Sequence, residues 1–417
     1  MTTRSVSQAR AFIGATLGCY RARAVAAVSG ESPDWSSVLT EAGPAMHPML
    51  AHRCATLDIP VPVEAAALLA LAHQRSAVVL AGRRAAVRQA LASLEGSGIE
   101  PIVLKGFALA HLAYPAPELR PMVDLDLWVR GDGLRDAVRT LAPLGWTLPW
   151  RAGALDSRIV SGSVGLQLGS PPLLVELHAA PKSLLAVMPA EVPEIRKRAV
   201  RRSLGGIDAR VPCPEDMIVH VAVHAAANHR FVDCVLRLLD IALFVECHGT
   251  SLDWDALARR ARTNGAAGLV ATALEASRQL FSAPVPAPAL AAFAVHDVEA
   301  LGALACEQAW LSSRAAVGPR SIMAAAGPAA RARAAFARLA EVVTGPDGTP
   351  ASRRSMVDAW TRLRLTVGTY APASFRAVWS GAARGEATRE LRRFRLNGDA
   401  LVAGMARAGE AARYSRT

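Results

Sequence analysis

Asp124 and Asp126 stand two residues apart in the segment Met122-Val-Asp-Leu-Asp-Leu-Trp-Val129, alternating with Val123, Leu125, Leu127 and Val129. Strict alternation is the period of a strand, here with one apolar and one acidic face. Carboxylates at i and i+2 project the same way, about 6 to 7 Å apart along the chain. Together they can hold hard cations such as Mg²⁺ that also bridge substrate phosphates. The run Leu173-Leu-Val-Glu-Leu-His178 repeats the alternation and puts Glu176 and His178 on one face, opposite Val175 and Leu177. A third carboxylate on a neighbouring strand can complete a two-metal site and take the proton of an acceptor hydroxyl. Upstream, the apolar run Glu100-Pro-Ile-Val-Leu104 ends in Lys105-Gly106 where a helical segment opens. A glycine at such a turn lets backbone N–H groups approach a phosphate, and the helix turns its positive end to that anion. Lys105 adds a cation.

Each of these residues also has a plainer reading. An Asp-x-Asp pair is common on solvated strands, Lys105 can snorkel at a strand end, Glu176 can pair with a neighbouring arginine, and His178 can be structural or can bond the acidic site. Arg120 can steady a triphosphate or the leaving pyrophosphate as a bidentate donor, or form a salt bridge to Glu118 or an aspartate. A second group comprises His220, His224 and His229, with Asp233 and Asp240 further on. His220 and His224 are at i and i+4, a spacing that can ligate zinc or iron. The segment lacks the glutamate of a zinc-protease motif and its neighbours are apolar, so it reads as a helix packed on the sheet with one histidine, His224, in a substrate cleft. Arg384, Arg389, Arg392, Arg393 and Arg395 read as a solvated helix face that can also attract an anionic acceptor or RNA.

The elements that must position these groups follow from pattern. Apolar residues at helical spacing from Ala65 to Ser93, with Arg83, Arg84 and Arg88 on another face, predict a long amphipathic helix ending at Gly96 and Gly98. Phe107 to Tyr114 reads as a helix stopped by Pro115 and Pro117, and Gly131 to Leu141 as another. Strands are expected at Gly145 to Trp150 and at Arg158 to Leu168, the latter bent at Gly162 and Gly165. A basic helix around Glu191 to Arg202 and a hairpin from Ser203 to Val211 follow. Cys213-Pro-Glu-Asp216 then opens a helix, with proline in the first turn and acids complementing the macrodipole. The remainder reads as helical, broken at Pro284 to Pro288 and at Gly345 to Pro350.

Composition bounds the class. With 417 residues, 52% hydrophobic and 20% charged, the chain can bury sizeable cores and is not disordered. Its longest apolar stretches are interrupted well short of the roughly 18 residues a spanning helix needs, so no membrane span is expected. Only 5% of residues are aromatic, which favours helices over a large all-β architecture. The net charge of +12 raises the question of a nucleic-acid partner. Of the 47 basic residues only Lys105, Lys182 and Lys197 are lysines, and the arginines are dispersed with alanine rather than clustered. Six cysteines stand far apart with no C-x-x-C pair, which predicts free thiols and a reducing, cytoplasmic setting.

Val103-Leu-Lys-Gly-Phe107, Leu112-Ala-Tyr-Pro115, Leu119-Arg-Pro-Met-Val-Asp-Leu-Asp-Leu127 and Val175-Glu-Leu-His178, taken in order, resemble the bacterial nucleotidyltransferase-like family of the polymerase-β-type nucleotidyltransferase superfamily. The resemblance covers about residues 96 to 180 and, more loosely, 214 to 246. It implies an α+β fold: a nucleotidyltransferase core with a small mixed sheet at residues 96–212, flanked by helical regions at 1–95 and 213–417. It also implies transfer of an NMP from an NTP to an acceptor oxygen, with Mg²⁺ or Mn²⁺ as cofactor and pyrophosphate released. Asp124, Asp126 and Glu176 would be catalytic and metal-binding, and Lys105, Gly106, Phe107 and Arg120 nucleotide-binding, with His178 and His224 at the substrate cleft. The acceptor is expected to be a small molecule, peptide or natural product rather than nucleic acid. Two departures stand out: Phe107 follows Gly106 where the superfamily has Gly or Ser, and the sixteen-residue spacer from Ala108 to Val123 is long. They keep open a binding or scaffold protein that holds nucleotide without transfer, with a nucleic-acid-binding protein behind it.

Overall fold

The structure, a computed structural model, describes residues 3–19, 33–149, 155, 159, 162–169 and 172–311. The Arg384–Arg395 cluster and the break at Gly345–Pro350 lie outside them. Among the described residues three helices come first: α1 (Thr3–Leu17), α2 (Trp35–Thr56) and α3 (Val63–Gly96). A short strand β1 (Ile102–Val103) leads into α4 (Lys105–Leu112) and then β2 (Asp124–Trp128). After α5 (Leu134–Leu141) come the antiparallel pair β3 (Ser163–Leu168) and β4 (Leu173–His178). Helices α6 (Lys182–Val187) and α7 (Val192–Arg198) precede a hairpin of β5 (Val200–Ser203) and β6 (Asp208–Val211). Six further helices follow among the described residues: α8 (Pro214–Val223), α9 (Val235–His248), α10 (Trp254–Thr263), α11 (Ala267–Phe281), α12 (Ala287–Ala291) and α13 (Val298–Ala309).

The strands form one six-stranded mixed sheet in the order β3-β4-β2-β1-β6-β5, within the α+β architecture expected. β2 pairs with β4 in parallel and with β1 antiparallel, while β1 pairs with β6 in parallel. Leu125 and Leu127 are buried, as are Val175 and Leu177 on β4, so the apolar faces read from the alternation do form the floor of the core. Val123 departs from that reading. It is 73% exposed because the strand begins only at Asp124.

One hydrophobic cluster runs from Ala9 in α1 through the sheet to Ala309 in α13. In its helical part a buried carboxylate ties α7, α8 and α10 together. Asp216, in the first turn of α8, accepts from Arg198 Nε at 2.8 Å and from Arg260 at 3.3 Å, and Cys213 Sγ donates to it at 3.1 Å. Both arginines compensate a charge that is otherwise costly in the interior. All six cysteines are unpaired; Cys54, Cys213 and Cys234 are buried, whereas Cys247 is exposed.

Several boundaries differ from the pattern reading. Gly145–Trp150 does not make a strand: Gly145 turns back at φ +87°, and only Thr147 forms a bridge, to Gln167. Trp150 lies outside the described residues. The basic helix ends at Arg198, because Val200–Ser203 pairs with Asp208–Val211 and the hairpin claims residues that charge alone had placed in the helix. α3 is longer and less amphipathic than expected. Its ends bury Ala65, Leu69, Val87, Ala90, Leu91 and Leu94, while Val63, Leu68, Leu71, Val78 and Val79 are exposed. Among the described helices it is the one long and apolar enough, by length and composition alone, to cross a membrane.

Candidate active site

The parallel register of β2 and β4 builds the site. Asp126 lies directly beside Glu176, and Trp128 beside His178. Side chains two apart share a face, so Asp124, Asp126, Glu176 and His178 belong to one side of the sheet. One potential ligand atom each from Asp126, Glu176 and His178 lies within 4.8 Å of the others. Neither strand could achieve this alone.

Charge in this cluster is unevenly matched. Asp126 is 6% exposed and is met on a single oxygen, Oδ1, by His178 Nε2 at 2.9 Å and by Lys105 Nζ at 3.1 Å. A carboxylate can only accept, so His178 Nε2 carries the hydrogen and donates it. His178 Nε2 also lies 3.7 Å from Glu176 Oε2, and its Nδ1 is buried with no hydrogen-bond partner among the described residues. Burial raises the Asp126 carboxyl, but the His178 and Lys105 contacts outweigh it and hold the group well below the usual carboxylate range. Asp124 is shifted the other way: burial raises it first and the Asp126 charge next, with Lys105 only partly offsetting them. Three carboxylates therefore gather around one ammonium. Hard oxygen donors with surplus negative charge suit a divalent cation such as Mg²⁺ or Mn²⁺.

The lysine and the glycine sit at the junction of β1 and α4. Leu104 N–H donates to Asp126 C=O at 3.0 Å, which pins the end of β1 to β2. Lys105 then adopts φ +41°, a left-handed conformation uncommon for a residue with a side chain, and α4 starts there. The first N–H groups of a helix have no intrahelical partner and attract anions. Phe107 is 1% exposed, its ring packed edge-on against His111 at 4.7 Å. The aromatic ring that stands where the resemblance led one to expect a small residue is thus in the core, and the main chain of Phe107 is left to meet a ligand.

Of the two settings the sequence allowed for Arg120, the structure shows the salt bridge to an aspartate. Its Nε and Nη2 donate to Asp240 Oδ1 and Oδ2, both at 2.7 Å, and Tyr114 Oη donates to Asp240 at 2.8 Å. This bidentate pair, with the arginine side chain 11% exposed, ties the loop before β2 to α9. The third nitrogen, Nη1, lies 2.8 Å from where a Cβ on Gly106 would stand. Gly106 is therefore required by the close approach of Arg120 as well as by any phosphate.

A cleft of about 240 Å³ opens beside Glu176. It is lined by Lys105, Glu176 and His178 on one side, and by Lys182, Ser183, His220, His224 and Asn228 on the other. α8 carries His220 into it. At His224–Asn228 the helix loosens into a π-helical turn, after which Arg230, Phe231 and Asp233 all take positive φ. π-Turns and clustered backbone strain recur at functional sites. The turn brings His224 Nδ1 within 3.1 Å of Asn228 Nδ2 and His224 Nε2 within 3.2 Å of His229 Nε2. Burial, then the Lys105 charge, pushes His220 down to about 3 and His224 well below its ordinary value, so both rings are neutral at pH 7. A second depression, about 250 Å³ between α1 and α11, has one charged residue in its lining, Arg10, which pairs with Glu41 at 2.7 Å.

The structure thus brings together Lys105, Gly106, Asp124, Asp126, Glu176 and His178, and sets His224 across the cleft. Among the described residues His220 and His224 belong to no cluster whose ligand atoms lie close enough to hold a metal, and His224 uses both nitrogens on Asn228 and His229. Lys182, Ser183 and Asn228 escaped the sequence reading because no local pattern marks them, and Tyr114 was read only as part of the segment Leu112-Ala-Tyr-Pro115 without its bond to Asp240. Only Lys182 carried a signal, as one of three lysines in an arginine-rich chain.

A family model described as an uncharacterised nucleotidyltransferase matches residues 31–282, more than half the chain, from the segment before α2 to the end of α11. No curated protein and no solved structure matches the chain significantly. The match reaches well beyond the motif segments and takes in the sheet, the acidic cluster and the histidine wall. The chain belongs to this uncharacterised nucleotidyltransferase family.

Proposed function

We propose that the protein transfers an NMP from an NTP to a hydroxyl of a small acceptor and releases pyrophosphate. The observation that carries this reading is the in-register placement of Asp126 beside Glu176, with Asp124 on the same face and Lys105 at the start of α4. Mg²⁺ or Mn²⁺ bound by Asp124, Asp126 and Glu176 would supply neutralisation of the triphosphate charge. The chain's own residues do the rest. The N–H groups of the first turn of α4, around Gly106, and the Lys105 ammonium hold phosphate oxygens. His178 fixes the rotamer of Asp126. Glu176, at the mouth of the cleft, takes the proton of the acceptor hydroxyl as its oxygen bonds to the α-phosphorus, and the α–β bridging bond breaks with its electron pair leaving on pyrophosphate.

The cleft beyond Glu176 supports a small acceptor. Its volume suits a compact molecule, and its far wall offers neutral imidazoles, an amide, a hydroxyl and one cation, Lys182, rather than a basic track for a polynucleotide. The buried ring of Phe107 favours a transferase over a scaffold, because it leaves the phosphate approach unobstructed. Unpaired cysteines accord with a reducing compartment such as the cytoplasm.

The test is thermal stability with each NTP, with and without Mg²⁺, in the wild type and the Asp124→Ala/Asp126→Ala protein. A ligand that binds only the folded state raises the melting temperature by mass action. The expected result is a Mg²⁺-dependent rise for at least one NTP that the double variant lacks. No rise with any NTP, or a rise the double variant keeps, would overturn the proposal.

A further inference from the structure

Two anionic partners compete for one lysine. Lys105 Nζ lies 3.1 Å from Asp126 Oδ1, inside the acidic cluster, and the same residue opens α4, where a phosphate would be drawn. An ammonium is a compact charge on a flexible four-carbon stem, so it can serve either partner but not both fully. The Lys105 side chain is 20% exposed and lines the cleft, so it has room to move. Asp126, at 7%, does not. Arg120, whose Nη1 comes close to Gly106, is held on Asp240 by two 2.7 Å bonds and cannot take over the role.

We infer that Lys105 is an exchangeable counter-cation: it neutralises Asp126 in the ligand-free protein and leaves it for the triphosphate once the acidic cluster is loaded with a divalent cation. This rests on the nucleotidyltransferase reading and adds to it a coupling between the two ligands. Metal alone must displace the lysine from its carboxylate, whereas metal arriving with nucleotide gives the displaced ammonium a phosphate partner. Linkage makes the effect reciprocal, so nucleotide tightens metal by the factor that metal tightens nucleotide.

The experiment measures Mn²⁺ binding by electron paramagnetic resonance and calorimetry to the full chain, alone and with the non-hydrolysable α,β-methylene analogue of each NTP in turn. The proteins are the wild type, Lys105→Met, Lys105→Gln as a second neutral variant, and Lys105→Arg. Loss of a unit charge at this distance should tighten Mn²⁺ alone by about tenfold or more in the neutral variants. The further tightening brought by the analogue should shrink in them, while Lys105→Arg keeps Mn²⁺ alone weak. A role of Lys105 confined to holding phosphate would leave Mn²⁺ alone unchanged in folded Lys105→Met and Lys105→Gln. That result overturns the inference while leaving the transferase reading intact. Absence of Mn²⁺ binding in every protein, with or without every analogue, would bring down both.

Discussion

Asp126 and Asp240 are both buried carboxylates, and the chain treats them in opposite ways. Asp240 is 1% exposed and fully matched: Arg120 grips both oxygens and Tyr114 adds a third donor. Asp126 receives two donors on one oxygen, while Asp124 and Glu176 add negative charge beside it. The first arrangement is satisfied without a ligand and serves to hold α9 against the loop before β2. The second leaves a surplus that a cation would balance. Burial alone thus does not mark a functional carboxylate; the balance of charge around it does.

The contrast can be broken most sharply at the acidic cluster. Asp126→Asn should reduce Mg²⁺-dependent NMP transfer by about 10³-fold or more, since catalysis here is positioning and charge neutralisation. It should also cost some stability, because the His178 and Lys105 contacts that keep Asp126 charged outweigh its burial. Turnover near wild type would remove Asp126 from the site. At the other carboxylate the pattern reverses. Asp240→Ala should cost about 3–5 kcal/mol in urea unfolding by stranding the Arg120 charge in the interior, and a loss below 1 kcal/mol would show the pair to be solvated.

Gly106 connects the two regions, since a Cβ there would stand 2.8 Å from Arg120 Nη1. Gly106→Ala should therefore destabilise by about 1–3 kcal/mol through forced displacement. Combined with Arg120→Ala, the penalty of the added methyl should shrink, and strict additivity would deny the contact. The smallest effect is a pH slope. His220 has its folded value pushed down to about 3 by burial and Lys105, against about 6.5 in the unfolded chain. Below about 6.5 the unfolded chain takes up a proton that the folded chain refuses, so stability falls as pH drops from 7 toward 5. His224, pushed down first by burial, adds to the same slope. His220→Gln should reduce the slope, and an unchanged slope would mean that His220 does not contribute to it.

The acidic strands were legible in the sequence because period-two alternation is a local property: Asp124, Asp126, Glu176 and His178 announced their faces through the leucines and valines between them. The turn at Lys105-Gly106 and the first turn of α8 were legible for a similar reason, being written in glycine, proline and acidic residues at fixed offsets. Where the local signal was composition rather than period, as in the basic run before β5, the boundary moved, because strand pairing with Asp208–Val211 outweighed helix propensity.

What only the tertiary structure decided was which charges meet. Register between β2 and β4 put Asp126 beside Glu176 across some fifty residues of chain. The packing of α9 took Arg120 for Asp240, and the π-turn after α8 swung His224 and Asn228 toward the cleft. No spacing rule encodes these events, because each depends on distances between elements set by the packing of the whole core, whereas a residue's face on its own strand depends only on its neighbours in sequence. The amino-acid sequence by itself determined the chemical groups and the faces that carry them; the fold decided which group became a rigid structural tie and which was left with charge to offer a ligand.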